Sequence, residues 1–302
     1  MKQNESKKRN MKELRLEERI FPRAMITPTL IVLLVMTAYP LIFTLIYSFT
    51  DYNYLKGMDN ANFVLFKNYS TLMKNSYFRQ ALVNTVKFTF LAVAFEMVIG
   101  LLIALFVHGM RRGKKVMRTL LLLPYLLPTV TVALSWRMML SVNYGIVNQF
   151  LTSLGLPVFN WFMDTRTAFG TILVIDVWQN APFVFLLLYA ALQSVPEELY
   201  EAARIDGAGK IQQFRFVTYP HLRTSIALCA LMRSIDTFRL FEKVNILTGG
   251  GPAGTTTTIT QFLYTYGISN LKFGFGSAGA VVMTILVLLI SSIYIKRAIN
   301  NK

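Results

Sequence analysis

The sequence predicts an all-α membrane protein with six transmembrane helices, and three observations predict it. Of its 302 residues 54% are apolar and only 15% are charged, against about a quarter charged in ordinary soluble domains. The apolar residues gather in runs close to the roughly 20 residues that a helix needs to cross a hydrocarbon core. Lys and Arg concentrate on alternate connections between those runs, the bias that fixes topology in a bilayer. Disorder is excluded by 23 Phe, 14 Tyr and 14 Met, residues that solvated chains lack.

The spans follow in order. Residues 24–50 hold 27 positions without a charge, too many for the apolar stretch of a signal peptide. No small-residue cleavage site closes the run, so it is expected as a retained first helix. Residues 88–107 form the second, interrupted by Glu96. The third covers 119–136 and runs on through Arg137 to Leu140. The fourth lies between 167 and 193, broken only by Asp176. The fifth, 224–247, carries Arg233, Asp236, Arg239, Glu242 and Lys243. It is assigned because an even number of spans satisfies the charge bias. The sixth, 273–295, has no charge.

With the N-terminus inside, the cytoplasmic pieces (1–23, 108–118, 193–223 and 296–302) carry 20 Lys and Arg, and the outer loops carry six. Both termini are therefore expected in the cytoplasm. The same distribution accounts for the net charge of +16 as a basic face against anionic lipid, without nucleic acid. Residues 1–23, with eight basic and four acidic side chains, read as a cytoplasmic segment that is either surface-lying and amphipathic or a simple anchor.

Several motif matches carry no chemistry. Gly274, Gly276 and Gly279 have dinucleotide-fingerprint spacing, but no strand precedes them and they open a membrane span. Close helix packing is the expectation there. Gly249 and Gly254 have phosphate-loop spacing, but Thr255 stands where the lysine must be. Asn68-Tyr69-Ser70 is a sequon without meaning outside a eukaryote. One cysteine, Cys229, and two histidines, His108 and His221, make a disulfide impossible within the chain and a metal site unexpected. No catalytic constellation is evident.

The informative segment is the connection 193–222. Ser194 and Glu197 have capping-box spacing and Pro196 suits a first turn, so a short helix is expected here. Gly207 suits its left-handed end, and a second helical turn from Lys210 is expected to stop at Pro220. Leu199, Ala202 and Ala203 share a face. Four basic and four acidic residues between 193 and 223 cancel, so the loop reads as a neutral knob for docking a soluble protein.

Glu201-Ala202-Ala203, then Asp206-Gly207-Ala208, Phe214 and Pro220 resemble the EAA loop of binding-protein-dependent ABC importers. The stretch 178–220, with 247–252 after the fifth span, is similar to the sugar branch of that family, the maltose and glycerol-phosphate permeases. It resembles the member of the permease pair that corresponds to the larger maltose subunit. Tyr219 and Val217 stand where many relatives have Leu and Ile. The resemblance covers roughly 24–299, one permease domain with its EAA loop at 193–222, and implies a type I ABC importer permease fold. It further implies a second permease subunit, two ATPase subunits carrying ATP and magnesium, an extracytoplasmic solute-binding protein and a carbohydrate solute. It places the chain in a bacterial cell membrane and gives it no cofactor of its own. Glu201, Ala202, Ala203, Asp206 and Gly207 would dock the ATPase. Gly249, Gly250, Gly251 and Pro252 would either face the binding protein or form a plain tight turn.

Ionisable groups inside a bilayer line a cavity or pair internally. Asp176, Gln179 and Asn180 have helical spacing around Trp178, as do Arg233, Asp236 and Arg239. Amides, carboxylates and an aromatic face suit a hydroxyl-rich solute, so Asp176, Trp178, Gln179, Asn180, Arg233 and Asp236 are candidates for the solute path. The alternative is internal neutralisation: Asp236 with Arg233 or Arg239, and Asp176 with a partner helix. Glu96 and Arg137 read as structural pairs. The competing functions are an importer subunit for a polyol or glycerol-phosphate-type solute and an ion-coupled carrier. No repeat links residues 24–140 to 167–295, as such carriers usually show.

Overall fold

The computed structural model describes residues 2–57 and 61–300, with side chains from Ala24 onward apart from residues 295 and 297–300. The role expected of residues 1–23 lies outside the described side chains. Thirteen α-helices lie among the described residues: α1 Lys2–Ser48, α2 Lys67–Lys74, α3 Ser76–Gly109, α4 Lys114–Leu126, α5 Thr129–Met139, α6 Ile146–Ser153, α7 Ala168–Gln193, α8 Glu197–Ile205, α9 Lys210–Gln213, α10 Tyr219–Phe238, α11 Glu242–Leu247, α12 Ile259–Leu263 and α13 Phe273–Asn300. Among the described residues, four helices are apolar and long enough to cross a membrane: Ala24–Ser48, α3, α7 and Phe273–Tyr294. The bent pair α4–α5 is long and apolar enough only when its two helices are taken together, whereas α10 has the length, at 20 residues, but not the composition. The expected six spans thus correspond to four continuous helices, one bent pair and one charged helix.

The departures from the expected spans have physical causes. Helix α3 starts at Ser76, three turns before the charge-free run, because Asn75 caps it by accepting from the Tyr77 and Phe78 amides at 2.9 and 3.2 Å. At 34 residues it is about 50 Å long. The third span is not straight: α4 and α5 meet at 89°. Pro128 has no amide hydrogen and pushes Leu127 into an extended conformation (φ −77°, ψ 138°). The fifth span ends at Phe238. Its broken end is held by Thr258 and Thr260, whose hydroxyls both donate to the Leu240 carbonyl, at 2.9 and 2.5 Å. Pro220 does not stop the cytoplasmic helix as expected. The backbone widens into a π-helix at Phe214–Thr218, and Pro220 enters α10 in its first turn, where a missing amide costs nothing.

Helix α7 is the central element, packed along α3 and flanked by α4, α10 and α11. One core joins α3, α5, α7 and α11 through Phe88, Ala92, Val132, Ile172, Ile175 and Val244. A second lies toward the other end, around Ala104, Val107, Val184, Phe185, Leu188 and Leu222. The third, around Phe78, Phe238, Ile259 and Phe262, seats α13, against which α1 runs. The glycines at the start of α13 do the packing expected of them. A Cβ on Gly276 would sit 2.8 Å from the Gly267 Cα, so no larger residue fits. Gly276→Val is expected to destabilise by about 1–3 kcal/mol, the usual cost of overpacking; thermal unfolding of the detergent-solubilised chain measures it, and an unchanged midpoint would refute the close approach.

Candidate functional site

Deep in the helical core, four elements each contribute one charge to a buried cluster. Glu96 of α3 takes a two-pronged contact from Arg233 of α10: Nε donates to Oε2 at 2.7 Å and Nη2 to Oε1 at 3.1 Å. Lys243 of α11 donates to Asp176 Oδ1 of α7 at 2.5 Å. Arg233 links the pairs, with Nη2 4.0 Å from Asp176 Oδ2 and Nη1 3.5 Å from Asp236 Oδ2. Glu96, Asp176, Arg233 and Lys243 are all at most 5% exposed in their side chains. Two carboxylates and two cations cancel, which is how such groups persist away from water.

The structure brings Asp176, Asn180, Arg233 and Asp236 together. The Asn180 amide donates to the backbone carbonyl and Oδ1 of Asp176, both at 3.0 Å. Asp236 keeps its side chain 60% exposed. Gln179 is turned elsewhere, donating to the Leu127 carbonyl at 3.0 Å, and so satisfies the acceptor that the α4–α5 bend sets free. Trp178 stacks edge-on with Trp136 at 5.5 Å and borders an apolar cavity of about 600 Å³ between α3, α4 and α7. Arg137 donates to the Ile246 carbonyl at 3.0 Å. Neither Lys243 nor the partner of Glu96 stands out in the sequence; the only signal for Lys243 is the density of charge between 233 and 243.

The connection 193–222 forms the expected short helix, but by a different cap. Pro196 precedes α8 without a side-chain cap, and Ser194 Oγ instead donates back to the Ala191 carbonyl at 2.8 Å. Arg204 Nη2 pairs with Glu197 at 2.9 Å. Gly207 ends the helix in the left-handed region at φ +78°, and the Ala208 amide closes the turn on the Ala203 carbonyl at 2.9 Å. Glu201, Ala202 and Asp206 are exposed and Ala203 half-buried. The same connection exposes three apolar side chains: Ile205 at 87%, Ile211 at 83% and Phe216 at 70%. Their signal was large apolar residues inside a loop of zero net charge. The Tyr200 and Thr218 hydroxyls, 3.0 Å apart, tie α8 to the π-helix that leads into α10.

The loop at Gly249, Gly250, Gly251 and Pro252 is folded onto α3. Gly249 and Gly250 adopt φ +61° and +91°. Thr257 Oγ1 donates to the Gly250 carbonyl at 2.8 Å and Thr256 Oγ1 to that of Gly251 at 2.6 Å. Asn84 of α3 holds the far side, donating to the Gly254 and Thr257 carbonyls at 2.9 and 3.1 Å.

Residues 96–300 match the family of binding-protein-dependent transport system inner membrane components. The chain is 36% identical to the trehalose/maltose transport system permease protein MalF of Thermococcus litoralis, over 90% of its own length and 91% of that protein's. It is 33% identical to the sulfoquinovosyl glycerol transport system permease protein SmoG of Agrobacterium fabrum, covering 94% and 92% of the two. Its fold is shared with a chain from the crystal structure of a bacterial ABC transporter involved in import of the acidic polysaccharide alginate. The TM-score there is 0.84 at 23% identity, over 97% of this chain and 99% of that one. The chain belongs to the family of binding-protein-dependent transport system inner membrane components. It is a membrane-embedded transport subunit, not an enzyme.

Proposed function

We propose that the chain is one of two permease subunits of an ATP-driven carbohydrate importer in a bacterial cell membrane, with both termini in the cytoplasm. The observation that carries this reading is the exposed α8 knob: Glu201, Ala202 and Asp206 in solvent, closed by Gly207, with Ile205, Ile211 and Phe216 exposed in the same connection. Large apolar side chains held out from a connection of zero net charge suit a cleft in another protein. That protein is the ATPase, two copies of which hold ATP and magnesium. The Tyr200–Thr218 contact passes movement of the knob to α10, and Arg233 passes it to α3 and α7. Relatives named for trehalose/maltose, trehalose and starch degradation products support a carbohydrate as solute. The 249–252 loop faces the solute-binding protein.

Within the path, the six candidates divide by exposure. Trp178 and Asp236 are exposed and Asn180, bonded to Asp176, is half-buried; these three meet the solute. Asp176 and Arg233 set the polarity of the wall, and Gln179 holds the bend. Asp236→Ala is expected to raise the KM for uptake several-fold while the maximal rate stays within about twofold. Uptake of labelled maltose or trehalose by cells carrying the complete system measures both. An unchanged KM would remove Asp236 from the path.

A further inference from the structure

A second pocket, of about 220 Å³, lies under the glycine loop, between the first turns of α3 and the α12 segment. It shares no residue with the charged cluster, and no residue that lines it carries a charge. One wall is a run of stacked aromatic rings: Tyr77 lies 6.3 Å from Tyr266, inclined by 28°, and Tyr266 lies 4.4 Å from Phe262, inclined by 26°. Facing polar groups come from Gln80, Thr257, Gln261 and Thr265. Gln261 is 3% exposed, yet its hydrogen bonding is incomplete. Its amide nitrogen reaches the Gly249 carbonyl and Thr265 Oγ1 only at 3.4 Å each, and its Oε1 has no donor. An orphaned amide oxygen is a standing cost in a buried site. The loop is shaped around this side chain. A Cβ on Gly250 would lie 2.7 Å from Thr257 Oγ1 and 3.2 Å from Gln261 Cγ, at a φ of +91°.

We propose that this pocket binds one ring of an uncharged saccharide, as a subsite separate from the path through the membrane core. Aromatic faces take the C–H face of a pyranose, while amides and hydroxyls exchange hydrogen bonds with its hydroxyl groups. A sugar hydroxyl is the kind of donor that Gln261 lacks. The absence of charge disfavours ions and acidic or basic peptides. The volume is below the roughly 300–1,000 Å³ of pockets that enclose a whole drug-sized ligand, which suits a single ring. The inference rests on the carbohydrate reading above, and deepens it by giving the solute a first contact outside the core.

The test is protection of an added thiol. Ala253, outside the lining, is exposed between Gly251 and Gly254 at the edge of the pocket, and the native Cys229 is fully buried, so Ala253→Cys reacts over a low background. The full chain with its co-purified partners, in lipid nanodiscs, is labelled with a maleimide in the presence of millimolar maltose, trehalose, maltotriose or chitobiose. At least one is expected to slow labelling several-fold, glucuronate is not, and Ser153→Cys elsewhere on the surface is expected to be indifferent to all. Gln261→Leu should abolish protection. Tyr77→Ala, at an exposed position, should weaken it. Labelling unchanged by every saccharide overturns the subsite. If cells carrying the system still take up one of them, the carbohydrate reading stands alone; if they take up none, it falls as well.

Discussion

Arg233→Met is expected to destabilise the chain by about 3–5 kcal/mol, the cost of stripping one partner from a buried ion pair. Arg233 is the hinge of the charged cluster: its guanidinium spans Glu96 at 2.7 and 3.1 Å and approaches Asp176 and Asp236. Without it, Glu96 sits fully buried with no cation bonded to it, and Asp176 keeps Lys243 and Asn180. Glu96→Leu alone also carries a penalty, because a guanidinium cannot shed its proton to escape burial. The pair of changes together should recover much of the loss, since a buried ion pair replaced by apolar residues of similar volume is often neutral or better. Thermal unfolding in nanodiscs and steady-state abundance in the membrane measure all three. Single variants as stable as the parent, or a double variant worse than the sum of the singles, would show that the cluster does not hold α3, α7 and α10 together.

Glu201→Lys and Gly207→Val are expected to leave the chain in the membrane at normal abundance but to abolish uptake and ATPase association. The two act differently. Glu201 is exposed, so reversing its charge touches no internal contact and alters only what meets the knob. Gly207 has φ +78° with open space around a Cβ; the obstacle is backbone conformation, worth roughly 1–2 kcal/mol for an L-residue in the left-handed region. A β-branched residue there re-aims the chain that follows α8. Gly207→Asn, whose side chain tolerates that region, should retain part of the uptake. Co-purification of the ATPase with each variant, beside an uptake assay, tests the assignment. Normal transport by both Glu201→Lys and Gly207→Val would end it.

What was legible in the sequence is what depends on neighbours along the chain. The apolar runs 24–50, 167–193 and 273–295 became helices because hydropathy over 20 residues is a local property. Gly207 was legible for the same reason: a left-handed residue at a helix end is a demand of its own turn. The apolar run 119–140 shows the third span but not its bend, although Pro124 and Pro128 stand in it, because an apolar count does not register a missing amide. The charged cluster was half legible. Asp176, Arg233 and Asp236 stood out as charges in greasy runs, but the Glu96–Arg233 contact spans 137 positions and Asp176–Lys243 spans 67. No spacing rule reaches so far. Gln179 shows the same limit: its helical spacing with Asp176 put it on the solute path, whereas its hydrogen bond goes to Leu127, 52 positions away.

The central claim is that α8 is the handle by which a separate ATPase moves this chain. It is tested most directly by extracting native membranes in mild detergent, pulling on a C-terminal tag and identifying what accompanies the chain by mass spectrometry. The account predicts an ATPase with a phosphate-binding loop and a second multi-span permease, both lost from Glu201→Lys. Recovery of the chain alone, stable and monodisperse, would contradict it and would make α8 an ordinary surface helix.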